Sequence, residues 1–296
     1  MVAVKANNIT IEYEESGDLT NPAIILIRGL GTQLIDWPMP FIDGLVNKGF
    51  RVVYFDNRDV GLSEKLENAG VPDMAEMMTK MMSGEAISPP YTVDDMALDV
   101  IGLMDVLKIE TAHIVGISMG GMIAQILAVN HAQRLKSMTS VMSSSGNPDL
   151  PRPTGEAAEF LIGTPEDPSD RESVIAHGTE SLRVFGSPGY PESEAVRREI
   201  YTARYDRCND PAGVARQMAA IVADGSRVER LKTITVPTLV IHGLDDPLVP
   251  VEGGKDTATS IPNAKLELIE GMAHNIPEPL CARLVDLITG HAIANK

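Results

Sequence analysis

The chain has 296 residues, of which 44% are apolar and 22% charged, as in globular proteins whose core is large enough to fold without a disulfide framework. Its 41 acidic residues outnumber its 25 lysines and arginines, which gives a net charge of −16 and a pI near 4.8. Because an acidic surface repels phosphate backbones and anionic lipids, the composition argues against a nucleic-acid partner and against docking on a membrane.

Strand and helix signals alternate along the first 140 residues. Strands are predicted at residues 9–14, Ala23–Ile27, residues 51–55, Ile114–Ile117 and Met138–Met142. The uninterrupted apolar run from Ala23 to Ile27 is expected of a strand that is buried on both faces. Helices are predicted from Val93 to Leu107 and from Met119 to Val129. Thr92 and Asp95 form a capping box at the start of the first of these helices.

Residues 143–232 differ from the rest of the chain. Serine, glycine and proline residues predict a linker at its beginning. No strand is indicated, and helices are predicted at Ser173–Val184, Glu192–Tyr205 and Ala212–Ala223. The alternation then resumes with strands at residues 236–241 and 265–269 and helices at residues 251–260 and 277–290. This pattern predicts an α/β domain made of residues 1–142 and 233–296, with a helical cap at residues 143–232.

The sharpest motif is Gly-Ile-Ser-Met-Gly at Gly116–Gly120. An apolar strand leads directly into it and a helix follows, which is the context that a nucleophile elbow requires. Ser118 is therefore the candidate nucleophile. The alternative is a glycine-rich turn that binds phosphate, but the motif lacks both the GxGxxG pattern and a Walker lysine.

A serine nucleophile needs a histidine base, and the histidine needs a carboxylate. Of the six histidines, only His274 follows the last predicted strand, at the carboxyl edge of the sheet where Ser118 also lies. Asp245 and Asp246 follow the preceding strand, and adjacent side chains diverge, so only one of them can face the base. The pattern Gly-x-x-Asp-x-x-x-Pro favours Asp246, with Asp245 as a turn or capping residue.

An oxyanion hole requires two backbone N–H groups. One is expected from Met119, the residue after the nucleophile, and the other from Leu30 in the loop that follows the strand Ala23–Ile27. Gly29 in that loop would let the backbone approach a substrate oxygen, which makes it a candidate substrate-binding residue.

Methionines are concentrated between Glu64 and Pro90. Five of them occur within nine positions: Met74, Met77, Met78, Met81 and Met82. One interpretation is a short helix that packs on the body of the protein. The other is a pliable apolar wall at the mouth of a binding site, because methionine adapts to irregular ligands. Met77, Met78 and Met81 are the candidate substrate-binding residues of this second interpretation.

These motifs resemble the α/β-hydrolase superfamily over essentially the whole chain. The run Asp56–Ser63 is similar to the family segment Asp-x-Arg-Gly-x-Gly-x-Ser, with Asp59 in place of glycine. This departure and the elbow most resemble the aclacinomycin methylesterase-like branch and related carboxylesterases. The resemblance implies an eight-stranded, mostly parallel sheet with helices on both faces, a helical cap after strand six, and ester hydrolysis. Arg28 replaces a common histidine and either reaches the site or forms a salt bridge, for example to Asp56.

The predicted function is that of a serine carboxylesterase. A Ser-His-Asp triad and an acyl-enzyme would cleave small-molecule esters of short to medium acyl chain, with no metal and no cofactor. A serine at the elbow argues against haloalkane dehalogenases and epoxide hydrolases. The same triad also serves cofactor-free perhydrolases (haloperoxidases), lactonases and carbon–carbon bond hydrolases, and these alternatives stay open, as does a homo-oligomer.

The two cysteines, Cys208 and Cys281, lie outside any CxxC motif or Cys/His cluster, so no metal site is indicated. Two free thiols are ordinary in a reducing cytosol. The first residues contain no apolar run of signal-peptide length. A cytoplasmic location is therefore expected.

Overall fold

One sheet runs through the computed structural model, which describes residues 2–295 except for the side chains of Met78, Met81, Met82 and Ile162. Its strands are β1 (Val2–Ala6), β2 (Ile9–Ser16), β3 (Ala23–Ile27), β4 (Arg51–Phe55), β5 (Ala112–Ile117), β6 (Leu135–Val141), β7 (Thr238–Gly243) and β8 (Lys265–Ile269). Their spatial order is β1-β2-β4-β3-β5-β6-β7-β8. The pairs β1–β2 and β2–β4 are antiparallel and the others are parallel, which confirms the predicted eight-stranded, mostly parallel sheet.

Helices cover both faces of this sheet. They are α1 (Met39–Asn47), α2 (Met74–Ser83), α3 (Val93–Val106), α4 (Met119–Asn130), α5 (Gly155–Ile162), α6 (Arg171–Val184), α7 (Glu194–Arg207), α8 (Pro211–Asp224), α9 (Val228–Leu231), α10 (Val251–Ser260) and α11 (Cys281–Ile293). Alternate residues of β3 enter two cores: Ile25 and Ile27 pack with α3 and α4, whereas Ile24 and Leu26 pack with α1 and α11. Burial on both faces explains why β3 is apolar throughout.

Helices α5 to α9, which we call the inserted helices, occupy the chain between β6 and β7. Helices α6 and α7 pack against each other, and α8 packs against α2 and α3. The insertion therefore joins the sheet domain after the sixth strand, where the sequence pattern predicted a change of architecture. Within residues 2–295 no helix combines the length and the apolar character that crossing a bilayer requires.

Seven strands follow the sequence prediction, and β1 is an addition. Strand β1 lies at the edge of the sheet and buries only Ala6, so its sequence carries no alternation strong enough to reveal it. The capping box of α3 is confirmed: Thr92 accepts a hydrogen bond from the Asp95 N–H, and the Asp95 carboxylate accepts one from the Thr92 N–H.

Candidate active site

Ser118 lies at the turn between β5 and α4. Its backbone has φ 55° and ψ −121°, a positive φ that residues with side chains adopt only where the surrounding structure enforces it. The turn is tight because a Cβ on Gly116 would overlap the carbonyl oxygen of Gly120, and one on Gly120 would overlap that of Ile27. The Ser118 N–H donates to the carbonyl of Val141 at 2.9 Å, which ties the turn to β6.

His274 reaches Ser118 from the loop after β8. Its Nε2 lies 3.0 Å from Ser118 Oγ, although 156 positions separate the two residues in the chain. The backbone of this loop is held by the residues that follow α6, since the N–H of His274 donates to the carbonyl of Phe185 at 2.9 Å. Ser187 Oγ adds two contacts to the loop, donating to Asn275 Oδ1 at 2.6 Å and accepting from the Ala273 N–H at 2.9 Å.

Asp246 contacts the other nitrogen of the same imidazole. Its Oδ2 lies 2.7 Å from His274 Nδ1, and its Oδ1 accepts hydrogen bonds from the N–H groups of Leu248 and Val249 at 2.9 and 2.8 Å. Because a carboxylate only accepts, Nδ1 carries the proton, and Nε2 of the neutral ring is left as the acceptor that faces Ser118. Asp245 points elsewhere and accepts a hydrogen bond from the Gly271 N–H at 2.8 Å.

A second histidine, His242, lies behind this carboxylate and is fully buried. Its Nε2 donates to the carbonyl of Val249 at 2.8 Å and lies 3.6 Å from Asp246 Oδ2. Burial lowers the pKa of His242 and the nearby Asp246 charge raises it, with burial the larger effect. His242 is therefore neutral at pH 7 and leaves the negative charge of Asp246 available to His274.

The two predicted oxyanion donors belong to segments that adjoin the nucleophile. Met119 is the first residue of α4, and Leu30 is in a turn whose Gly29 carbonyl accepts from the N–H and Oγ1 of Thr32 at 3.3 and 2.9 Å. Within residues 2–295, the Leu30 and Met119 N–H groups have no protein acceptor. A Cβ on Gly29 would lie 3.0 Å from the Cβ of Ser118, so this glycine keeps the space beside the nucleophile open.

Arg28 does not bind Asp56. Its guanidinium lies 4.7 Å above the ring of Trp37, and its burial lowers its pKa to about 10. Asp56 is paired instead with Arg207, whose Nη2 lies 2.7 Å from Oδ2. The partners of Arg28 are the Trp37 ring and Thr32, whose Oγ1 accepts from Arg28 Nε at 3.4 Å, and not the Asp56 carboxylate that was the example of a salt bridge. The other alternative, that Arg28 reaches the site, stays a prediction.

Asp59, the second departure from the family pattern, forms a buried ion pair. Its two carboxylate oxygens accept from Nε and Nη2 of Arg216 at 2.9 and 2.8 Å. Oδ1 also accepts from the Leu66 N–H at 2.7 Å. The ion pair joins the sheet domain to α8, a contact that the sequence gives no means of predicting.

The methionine segment forms helix α2, which packs against α8. Met77 is buried, and the side chains of Met78 and Met81 lie outside the description. Both interpretations of this segment, packing helix and binding-site wall, remain hypotheses. Among the described residues, no group of three or more His, Cys, Asp or Glu side chains is arranged to hold a metal ion.

Residues 22–173 match the family model described as the alpha/beta hydrolase fold, which covers just over half of the chain. The protein belongs to the alpha/beta hydrolase family. Among the curated members, rhodomycin D methylesterase of Streptomyces peucetius is 26% identical over 301 aligned positions that cover 94% of both chains. This similarity confirms the resemblance to the methylesterase branch of the alpha/beta hydrolases.

Other alpha/beta hydrolases similar to this one are named for different substrates. The 3-oxoadipate enol-lactonase 1 of Acinetobacter baylyi is 28% identical over 280 residues, which cover 91% of this chain and 89% of the lactonase. The solved structure of a meta-cleavage product hydrolase from Pseudomonas fluorescens superposes with a TM-score of 0.76 at 23% identity and covers 100% of this chain. At that identity the structural likeness shows the fold alone.

Proposed function

We propose that this alpha/beta hydrolase is a serine esterase that cleaves carboxylic esters through an acyl-enzyme. The observation that carries the proposal is the unbroken line of hydrogen bonds from Asp246 through His274 to Ser118, at 2.7 and 3.0 Å. A nucleophile, a base and an orienting carboxylate in that sequence are the parts that activate a serine hydroxyl at neutral pH. The similarity to a methylesterase supports an ester as the substrate.

In the proposed reaction, Ser118 Oγ attacks the ester carbonyl carbon while its proton moves to His274 Nε2. The carbonyl electrons move onto the oxygen, which accepts hydrogen bonds from the N–H groups of Leu30 and Met119. When this intermediate collapses, the bond to the alcohol oxygen breaks and Nε2 returns the proton to that oxygen. Water then attacks the acyl group by the same steps, which releases the acid and restores Ser118.

We infer that the acyl chain is short to medium in length. The inserted helices carry exposed charged pairs, such as Arg171 with Asp206 at 2.7 Å, where an enzyme for long-chain fats would expose an apolar lid. Met77, Met78 and Met81 are proposed as the flexible wall of the acyl site. Such a wall discriminates weakly, because each buried methylene contributes only about 1 kcal/mol.

The decisive experiment compares Ser118→Ala with the wild-type protein on p-nitrophenyl esters from acetate to palmitate. Loss of the nucleophile removes the covalent route, so kcat should fall by roughly 1,000-fold or more. Ser140→Ala is the matched control: its hydroxyl is buried one strand away without a hydrogen-bond partner, so removing it should leave the rates unchanged. An organophosphate should add its mass to Ser118 alone. Retention of full activity in Ser118→Ala would contradict the proposal.

Adding simple lactones to this panel tests the lactonase alternative, for which the similarity to an enol-lactonase is the specific observation. A lactone differs from an open ester in that its alcohol stays attached to the acyl group after ring opening. Faster turnover of simple lactones than of every open ester would therefore replace the esterase proposal with a lactonase, while the roles of the three residues would stay the same.

A further inference from the structure

Helix α8 contacts the loop that contains Leu30. Gln217 of this helix is fully buried, and its Oε1 accepts a hydrogen bond from the Gly31 N–H at 2.9 Å. Its Nε2 donates to the carbonyl of Arg58 at 2.8 Å, so both ends of the amide are occupied. Val214, one turn earlier, lies so close that a Cβ on Gly31 would be 3.1 Å from its Cγ2.

The loop itself is a short turn whose two ends are held by other contacts: Asn57 Nδ2 donates to the Arg28 carbonyl at 3.0 Å, and Gln33 Nε2 donates to two carbonyls of the α7 end. The Gly29 carbonyl accepts from Thr32, and Gly31 has φ +64°, as at the third position of a type II turn. In such a turn the N–H of the third residue points outward and needs an external acceptor. The bond to Gln217 supplies that acceptor and fixes the plane of the peptide between Leu30 and Gly31. It therefore limits rotation of the backbone at Leu30.

Gln217 acts from a helix that is itself held in place. The neighbouring Arg216 forms the two-bond ion pair with Asp59, and a Cβ on Gly213 would overlap the carbonyl oxygen of Asp59. Buried charged pairs of this geometry are directional and resist displacement. The first turns of α8 thus form a rigid support against which the loop of Leu30 is fixed.

We propose that Gln217 is a positioning residue, which holds the Leu30 N–H in the direction of the negative oxygen that forms during ester cleavage. This inference rests on the proposed function. By this inference, helix α8 contributes to stabilising the transition state, in addition to any contribution to enclosing the substrate. The effect depends on distance and angle, since a displacement of about 1 Å at a reacting group can lower a rate by about 100-fold.

The test is Gln217→Leu, which keeps the volume and removes the acceptor. The oxyanion contact is made in the transition state and not with bound substrate, so kcat should fall about 10- to 100-fold while KM changes less than about threefold. A trifluoromethyl ketone forms a tetrahedral adduct with the nucleophile and requires the same donors. Its inhibition constant should rise by the same factor as kcat falls.

Gln125→Leu is the matched control. Gln125 is also fully buried, accepts from Arg227 Nε at 2.8 Å and donates to the Ser144 carbonyl at 3.2 Å, but it contacts neither oxyanion donor. The Gln125→Leu substitution should lower the melting temperature about as much as Gln217→Leu and should leave kcat within about threefold of wild type. Unchanged kcat in Gln217→Leu, with a lower melting temperature, would reduce Gln217 to a packing residue and overturn the inference.

If Gln217→Leu does not accumulate as folded protein, the same measurements of kcat, KM and the inhibition constant on Gln217→Asn test the inference. It keeps the amide, but its side chain is one methylene too short to reach Gly31. The proposed function is tested separately by Ser118→Ala. An enzyme that depends on Ser118 but is indifferent to both Gln217 variants would refute only the inference, whereas activity without Ser118 would refute the proposed function.

Discussion

Asp245 and Asp246 are adjacent in the chain, and their carboxylates contact different groups. Asp246 contacts His274 and Asp245 accepts from the Gly271 N–H. We expect Asp246→Asn to lower kcat by roughly 1,000- to 10,000-fold, because an amide cannot stabilise the imidazolium and favours the wrong tautomer. Asp245→Asn keeps an acceptor oxygen for Gly271 and should cost less than about 10-fold. Steady-state kinetics on one ester measures both, and a larger loss in Asp245→Asn would exchange the roles of the two residues.

The candidate site is partly visible in the sequence because some of its residues are set by local geometry. Ser118 follows a strand within a tight Gly-x-Ser-x-Gly turn, and His274 follows the last strand, so their positions can be predicted from chain order alone. Gln217 and Ser187 are different. Gln217 contacts the site from α8, and Ser187 contacts it from the loop between α6 and α7. The placement of these segments on the sheet has no signal in the sequence, and neither residue belongs to a motif. Only the tertiary structure brings them to the loops of Leu30 and His274.

At the scale of single elements, the same contrast separates β3 from β1. Strand β3 is buried on both faces, so its composition is uniform and identifies it. Strand β1 is an edge strand with three exposed positions out of five, and its pairing with β2 depends on the neighbouring strand and not on its own pattern. Elements whose stability comes from burial are therefore the ones that a sequence reveals, and edge elements are the ones it leaves undetermined.

Strand β5 carries a buried histidine, His113, whose titration should affect stability. Burial and, to a smaller extent, the charge of Lys136 lower its pKa from 6.5 to about 4. As the pH falls, His113 of the unfolded chain therefore becomes protonated near pH 6.5, whereas His113 of the folded protein becomes protonated only near pH 4. The contribution of His113 to the free energy of unfolding should fall as the pH drops through this window, by about 1–2 kcal/mol between pH 7.5 and 5, and should change little above pH 7. Urea unfolding at both pH values measures this change.

The control for this prediction is His113→Asn. Ser137 Oγ lies 2.8 Å from Nδ1 of His113, and an asparagine oxygen at that place can accept from the same hydroxyl without titrating. The stability of the variant should depend less steeply on pH than that of the wild type by about the same 1–2 kcal/mol. Identical pH dependence in the two proteins would mean that His113 is protonated to the same extent in the folded and unfolded states.

At the scale of the whole molecule, ion pairs whose carboxylates are buried connect the sheet domain to the inserted helices. Three carboxylates of the sheet domain bind three arginines of α7 and α8, and these pairs are Asp36–Arg204 at 2.9 Å, Asp56–Arg207 at 2.7 Å and Asp59–Arg216 at 2.8 Å. The net charge of −16 does not predict these ion pairs, because composition does not distinguish a paired carboxylate from a solvated one. The pairs indicate that α7 and α8 are a fixed part of the molecule.

The strength of this connection can be measured by comparing two aspartates that each bind an arginine through both carboxylate oxygens. The Asp59 and Arg216 side chains are 0% and 2% exposed, whereas those of Asp206 and Arg171 are 53% and 44% exposed. Asp59→Asn leaves the buried guanidinium with only the more distant Asp210, whose Oδ2 lies 3.6 Å from Nη2, and should lower the free energy of unfolding by about 3 kcal/mol. Asp206→Asn removes the same charge at the surface, where water screens it, and should change that free energy by less than about 1 kcal/mol.

Chemical denaturation at low salt and in roughly 0.5 M NaCl separates the two kinds of pair, because salt screens exposed charges much more than buried ones. The difference in the free energy of unfolding between the wild type and Asp59→Asn should therefore be the same at both salt concentrations. Small and equal losses in both variants would show that α8 is held by its apolar contacts alone.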